Sequence, residues 1–121
     1  MRILFLGDIV AKSGRAIVTK EVPRLRRNLK LDFIIANAEN AAHGFGMTVK
    51  ICDELFESGI DVITGGNHTW DKSEIIPYIS QEGRLLRPLN LPAGTPGNGM
   101  GVFSDGSGRR IKFINIMTRL F

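Results

Sequence analysis

Cysteine is almost absent from this 121-residue chain: Cys52 is the only one, so no internal disulfide can form, which fits a reducing compartment and an expected cytoplasmic location. Histidine is nearly as scarce, with His43 and His68 the only imidazoles. No apolar run approaches the ~20 residues of a membrane span. The opening "MRILFLGDIV" is basic and then apolar, yet Gly7 and Asp8 cut it short of a signal-peptide core, and it reads as a first buried strand. Neither an internal repeat nor a low-complexity tract is present. Acidic residues fall behind basic ones, 12 against 16, giving a net charge of +4. That balance invites a nucleic-acid partner. Much of the excess, however, lies in "RLRRNLK" (24–30), the solvated last turn of an expected helix, where cations complement the helix dipole. Aromatics do not interleave with these basic residues, so no stacking platform supports RNA binding.

The hydrophobic content of 43% with 23% charged residues is that of a globular protein, and the length suits one domain or a piece of one. Continuous apolar runs recur: "RILFL" (2–6), "DFIIANA" (32–38), "IDVIT" (60–64) and "IKFINIM" (111–117). Strands of this texture, separated by segments of helix length, predict an α/β fold with a mostly parallel sheet buried on both faces. A first helix is expected over 14–30, kinked or broken at Pro23. A second is expected over 47–58, capped by Thr48 and ended by Gly59. A short third follows at 72–80. Beyond residue 86, "RPLNLPAGTPGNGMG" reads as a loop across one domain, and "VFSDGSGRRIKFINI" as two strands about an Asp-Gly turn. The end "NIMTRLF" stops on an apolar run with no closing helix.

Three strands end in polar clusters: Gly7 and Asp8, "NAEN" (37–40) and "GGNHTWD" (65–71). In an open parallel sheet all carboxyl ends lie along one edge, so these clusters should converge. Asp8, Glu39, Asn40 and Asn67 would supply carboxylate and amide oxygens, which suit divalent ions such as Mn²⁺, Mg²⁺ or iron. Glu39 could bridge two ions, with Asp8 on one side and Asn67 on the other, a pairing that activates water for attack on phosphorus. Each residue has a structural alternative. Asp8 could cap the next helix, Glu39 and Asn40 could be loop residues, Asn67 could mark a left-handed turn, and His43 and His68 could be satisfied structural histidines. Trp70 reads as packing and Cys52 as inert helix core. Gly44 and Gly46 make a flexible turn, lacking the further glycine and acidic residue of a dinucleotide fingerprint.

"GNH" after a strand is shared with calcineurin-like metallophosphoesterases. The ordered set "LFLGDIV", "NAENAAHGFGMT", "TGGNHTWDKSEI" and "LLRPLNLPAGTPGNG" closely resembles the YmdB-like branch of that superfamily, from Met1 to about Asn115. As in that branch, "AEN" stands where a Gly-Asp pair is usual, and no Asp-x-His follows the first strand. The resemblance implies the N-terminal half of a calcineurin-like sandwich. It also implies a dinuclear phosphodiesterase acting on 2',3'-cyclic nucleotides with two divalent metals, iron first and manganese or magnesium as alternatives. Carried over residue by residue, Asp8 and Asn40 match ligands of one metal, Glu39 the bridge and Asn67 a ligand of the other, while His68 matches the general acid. His43 is a candidate substrate-binding residue. Family members are longer, and their remaining ligands are histidines of a C-terminal half. This chain is therefore expected to be a truncated domain with an incomplete second metal site and impaired hydrolysis. It is further expected to expose apolar surface that promotes self-association. A non-catalytic nucleotide- or metal-binding module, or an inactive remnant, is the competing reading.

Overall fold

The computed structural model describes residues 1–118. Four apolar segments, β1 (Ile3–Leu6), β2 (Phe33–Asn37), β3 (Val62–Thr64) and β4 (Leu85–Leu86), pair in parallel in the order β1-β2-β3-β4. Partners in register share a face, and neighbours along a strand alternate between faces. The pairs Leu4↔Ile34, Leu6↔Ala36, Ala36↔Ile63 and Ile63↔Leu85 therefore assemble one apolar face. Against it pack α1 (Ala11–Leu29), α2 (Val49–Glu57) and α3 (Ile75–Ile79), through Val22, Ile51, Leu55, Ile75 and Ile79. The mostly parallel α/β sheet expected from the apolar runs is what forms.

The opposite face departs from expectation. Phe103 and Phe113, from the antiparallel hairpin β5 (Met100–Ser104) and β6 (Arg110–Ile114), cover Ile35, Val62 and Leu86. Ile3 and Phe5 on the same face stay 44% and 59% exposed, so burial is two-sided only in part. The hairpin expected of "VFSDGSGRRIKFINI" does form, so the run "IKFINIM" supplies its second strand and does not join the parallel sheet. The fourth parallel strand is instead the two-residue β4, too short to leave a periodic signal.

Helix α1 runs without a break through Pro23. Proline removes one helical hydrogen bond and crowds the carbonyl a turn back. Contacts on both sides of it keep the helix continuous: Val22 is buried, and Arg26 donates to the Gly59 carbonyl at 2.7 Å while pairing with Asp61. Helix α2 follows its sequence signals, with the Thr48 hydroxyl accepting the Ile51 N–H at 3.2 Å and Gly59 beyond it at φ 104°. The chain end "NIMTRLF" falls partly on residues 119–121, which lie outside the described residues. Among the described residues, no helix is long and apolar enough to cross a membrane.

Candidate functional site

Parallel pairing carries the segments after β1, β2 and β3 to one edge, and backbone bonds stitch them there. The Ile9 N–H donates to the Asn37 carbonyl at 2.9 Å, Ala38 N–H to Thr64 at 3.1 Å and Ala11 N–H to Asn40 at 3.1 Å. Asp8 is exposed, and both its carboxylate oxygens accept from Asn40 Nδ2, at 2.9 and 3.1 Å. It does not cap α1, whose N-cap position is Val10 without a side-chain bond. Glu39 is half-buried, and its Oε2 accepts the His68 backbone N–H at 3.1 Å.

The two glycines of "GGNHTWD" serve different neighbours. A Cβ on Gly66 would overlap both carboxylate oxygens of Glu39, so the missing side chain admits that carboxylate to the turn. A Cβ on Gly65 would overlap Thr69, a fully buried residue whose hydroxyl donates to the Gly66 carbonyl at 2.7 Å and closes the turn. Neither glycine has a positive φ, so close approach rather than backbone freedom requires them. Asn67 is exposed on this turn and also lacks a positive φ, which removes the left-handed-turn explanation for it.

His68 is half-buried, with Nδ1 2.6 Å from Asp71 Oδ2 and its ring edge-on to Phe45, centroids 5.2 Å apart at 71°. His43 is the residue that adopts the left-handed region, at φ 57°, exposed on the loop that follows Asn40. Among the described residues no hydrogen bond joins its imidazole to Asp8, Glu39 or His68. The edge therefore joins Asp8 to Asn40, and Glu39 to the turn carrying Asn67 and His68, while no hydrogen bond among the described residues ties the His43 imidazole to either.

Two carboxylates, two amides and one imidazole form an oxygen-rich donor set of the kind hard or borderline divalent ions prefer. Among the described residues no group of three or more His, Cys, Asp and Glu converges, so Asp8, Glu39 and His68 do not surround a common point. The Asn40 amide places its N–H donors on the Asp8 carboxylate, the position of positive charge that a cation would take. Asp71, Phe45 and Thr69 are site residues to which the sequence reading assigned no role, although Asp71 lies three positions beyond His68 in the quoted stretch. Asn115 had no such signal. Its Nδ2 donates to the carbonyls of Gly65 at 2.8 Å and Leu86 at 3.0 Å, pinning the turn from the segment after β6.

A family model described as YmdB-like protein matches residues 4–121. All 121 residues are 49% identical to a 2',3'-cyclic-nucleotide 2'-phosphodiesterase of Bacillus subtilis, of which they cover 46%. A putative phosphatase/phosphodiesterase of Mycoplasma genitalium is 40% identical over 91 residues, 75% of this chain and 32% of that one. Among solved structures, a hypothetical protein from Thermus thermophilus superposes with a TM-score of 0.92 at 39% identity, over 99% of this chain and 46% of its own. A phosphatase from Mycoplasma pneumoniae gives 0.85 at 35% identity, covering 94% and 42%. The chain thus spans about half the length, or less, of the proteins it matches.

Proposed function

Because the chain belongs to the YmdB-like family, we propose that its carboxyl edge is the N-terminal part of a centre that hydrolyses phosphodiesters, with 2',3'-cyclic nucleotides as the substrate class. The observation that carries this reading is the seat of Glu39: a half-buried carboxylate admitted by Gly66 and bonded to His68 N–H, one residue before the Asn40 that binds Asp8. A carboxylate held there is costly without a compensating positive charge. Asp8 and Asn40 would hold one divalent ion, Glu39 would lie between two, and Asn67 would serve the second. Iron is the first candidate, with manganese or magnesium as alternatives. Bound ions of this kind stabilise charge on a phosphoryl group and lower the pKa of a coordinated water. His68 has Nδ1 engaged by Asp71, so that as the imidazolium its Nε2–H would donate a proton to the departing oxygen and the neutral Nδ1–H ring would remain.

Among the described residues no three of His, Cys, Asp and Glu come together where one ion could sit. That shortfall favours a second reading, a non-catalytic module that binds metal or nucleotide. Metal analysis, nucleotide binding and hydrolysis of a 2',3'-cyclic nucleotide in Mn²⁺ separate the two. Bound metal with turnover lost in His68→Ala supports the enzyme, bound metal or nucleotide without turnover supports the module, and none of the three sinks both. We place the chain in the cytoplasm, as half of one domain. The exposed Ile3 and Phe5 of the sheet, with Ile114 and Ile116 of the hairpin segment, would drive self-association, with a molar mass by light scattering above 13.4 kDa as its sign.

A further inference from the structure

We propose that Asp71 is a positioning residue for His68, fixing the imidazole as the Nδ1–H tautomer and leaving Nε2 as the nitrogen available to a substrate. The inference builds on the proposed hydrolytic reading, but its geometry stands on its own. Asp71 Oδ2 lies 2.6 Å from His68 Nδ1, inside hydrogen-bonding range. An ionised carboxylate only accepts, so the nitrogen facing it must carry the proton whether the ring is neutral or charged. The backbone holds the two together: the Asp71 N–H donates to the His68 carbonyl at 3.2 Å, closing a turn that sets both side chains on one side.

A second loop braces the arrangement. Gly46, at φ 78°, lies over Asp71, and a Cβ there would come within 3.1 Å of Asp71 Cβ and 3.2 Å of Lys72 Cγ. Its carbonyl accepts the Ala42 N–H at 2.9 Å, which closes the loop carrying Phe45. Phe45 presents its ring edge-on to the imidazole at 5.2 Å although it is itself 59% exposed. The loop after β2 therefore touches His68 and Asp71 together, and Gly46 is the residue that lets it approach. His68 and Asp71 are 31% and 39% exposed, so their pair adds little to overall stability. Orientation of the ring, rather than stability, is what the contact supplies.

Nitrogen-15 NMR of the His68 ring in the whole chain tests the assignment without metal or substrate. Wild-type protein is expected to show the proton on Nδ1 and the lone pair on Nε2. Asp71→Ala should move the ring toward the Nε2–H form that an unconstrained imidazole favours, and Asp71→Asn, whose amide oxygen still accepts, should keep the wild-type tautomer in part. An Nε2–H ring in the wild type overturns the proposal without needing any variant, and so does a folded Asp71→Ala protein with an unchanged tautomer. Where turnover is measurable, Asp71→Ala should slow hydrolysis of esters with alkoxide leaving groups by roughly 100-fold. Esters of p-nitrophenol, which need little protonation to depart, should change little. Equal losses on both would reject a positioning role. Absence of metal and turnover beside an intact Nδ1–H tautomer would instead reject the hydrolytic reading and leave this one standing.

Discussion

Adjacent glycines in one turn should fail in opposite ways when each receives a single methyl group. In Gly66→Ala the new Cβ meets the far end of a flexible side chain, the Glu39 carboxylate. No backbone strain accompanies it, because φ there is not positive. The carboxylate swings away and loses the His68 N–H, a cost of about 1 kcal/mol. Restricting the unfolded chain returns roughly 0.4–1 kcal/mol, so the fold should melt within a few degrees of wild type. In Gly65→Ala the Cβ meets Thr69, which is fully buried and cannot swing. Overpacking costs about 1–3 kcal/mol and the strained Thr69–Gly66 bond about 1 more, which lowers the melting temperature by roughly 10 °C. Metal binding should rank the other way. Displacing Glu39 in Gly66→Ala should weaken Mn²⁺ at least about 10-fold, as disturbance of a metal's supporting residues does. Calorimetric melts and Mn²⁺ titration read both quantities. If Gly66→Ala melts as low as Gly65→Ala, or binds Mn²⁺ as wild type does, then Glu39 does not occupy the place argued for it.

Cys52 should be silent to disulfide exchange reagents in the native protein and react fully once unfolded, because burial first, and then Asp53, Glu82 and Glu74, push its thiol up to about 12. Reaction of the native protein at mildly alkaline pH would contradict this. Burial raises the Asp105 carboxyl, but bonds from the Ser107 hydroxyl, the Arg109 guanidinium and both their backbone N–H groups outweigh it and bring it down to about 2 from 3.8. Its folded value lies below the unfolded one, so its stabilisation is present above about pH 4 and is lost as pH falls toward 2. The Ser107 and Arg109 amide signals should titrate in the lower part of that window, and a midpoint at 3.8 would refute the hydrogen-bonded turn. Asn115→Ala removes two bonds, worth together about 2 kcal/mol, and should speed hydrogen exchange at the Gly65 N–H, which bonds to the Leu86 carbonyl at 2.9 Å. Unchanged protection there would mean that Asn115 does not pin the turn.

That the segments carrying Asp8, Glu39 and the "GGNH" turn reach one edge was legible because it needs only strand direction, and continuous apolar runs report direction through the buried parallel sheets they build. Thr48 and Gly59 were legible because capping acts within a few residues. What stayed hidden depends on contacts between distant positions. Asn115 bonds to Gly65 across 50 residues and leaves no periodic trace, and Pro23 argues for a break that Arg26, bonded to Gly59 from a turn away, prevents. Asp71 was hidden for another reason, since an acidic residue three positions after a histidine is also ordinary turn chemistry until a distance is known. The expectation of two-sided burial is the informative miss. Met100, Val102 and Ile114, on the outer face of the hairpin, and Ile116 beyond it are 46%, 52%, 51% and 63% exposed, where a hairpin facing water would carry polar residues. Ile114 and Ile116 join Phe5 around an open cleft of about 520 Å³. Of the four apolar runs the middle two are buried, and only the first and last leave side chains, Ile3 and Phe5, Ile114 and Ile116, on the surface. Apolar patterning thus reports that a strand forms more faithfully than it reports which of the strand's faces is covered.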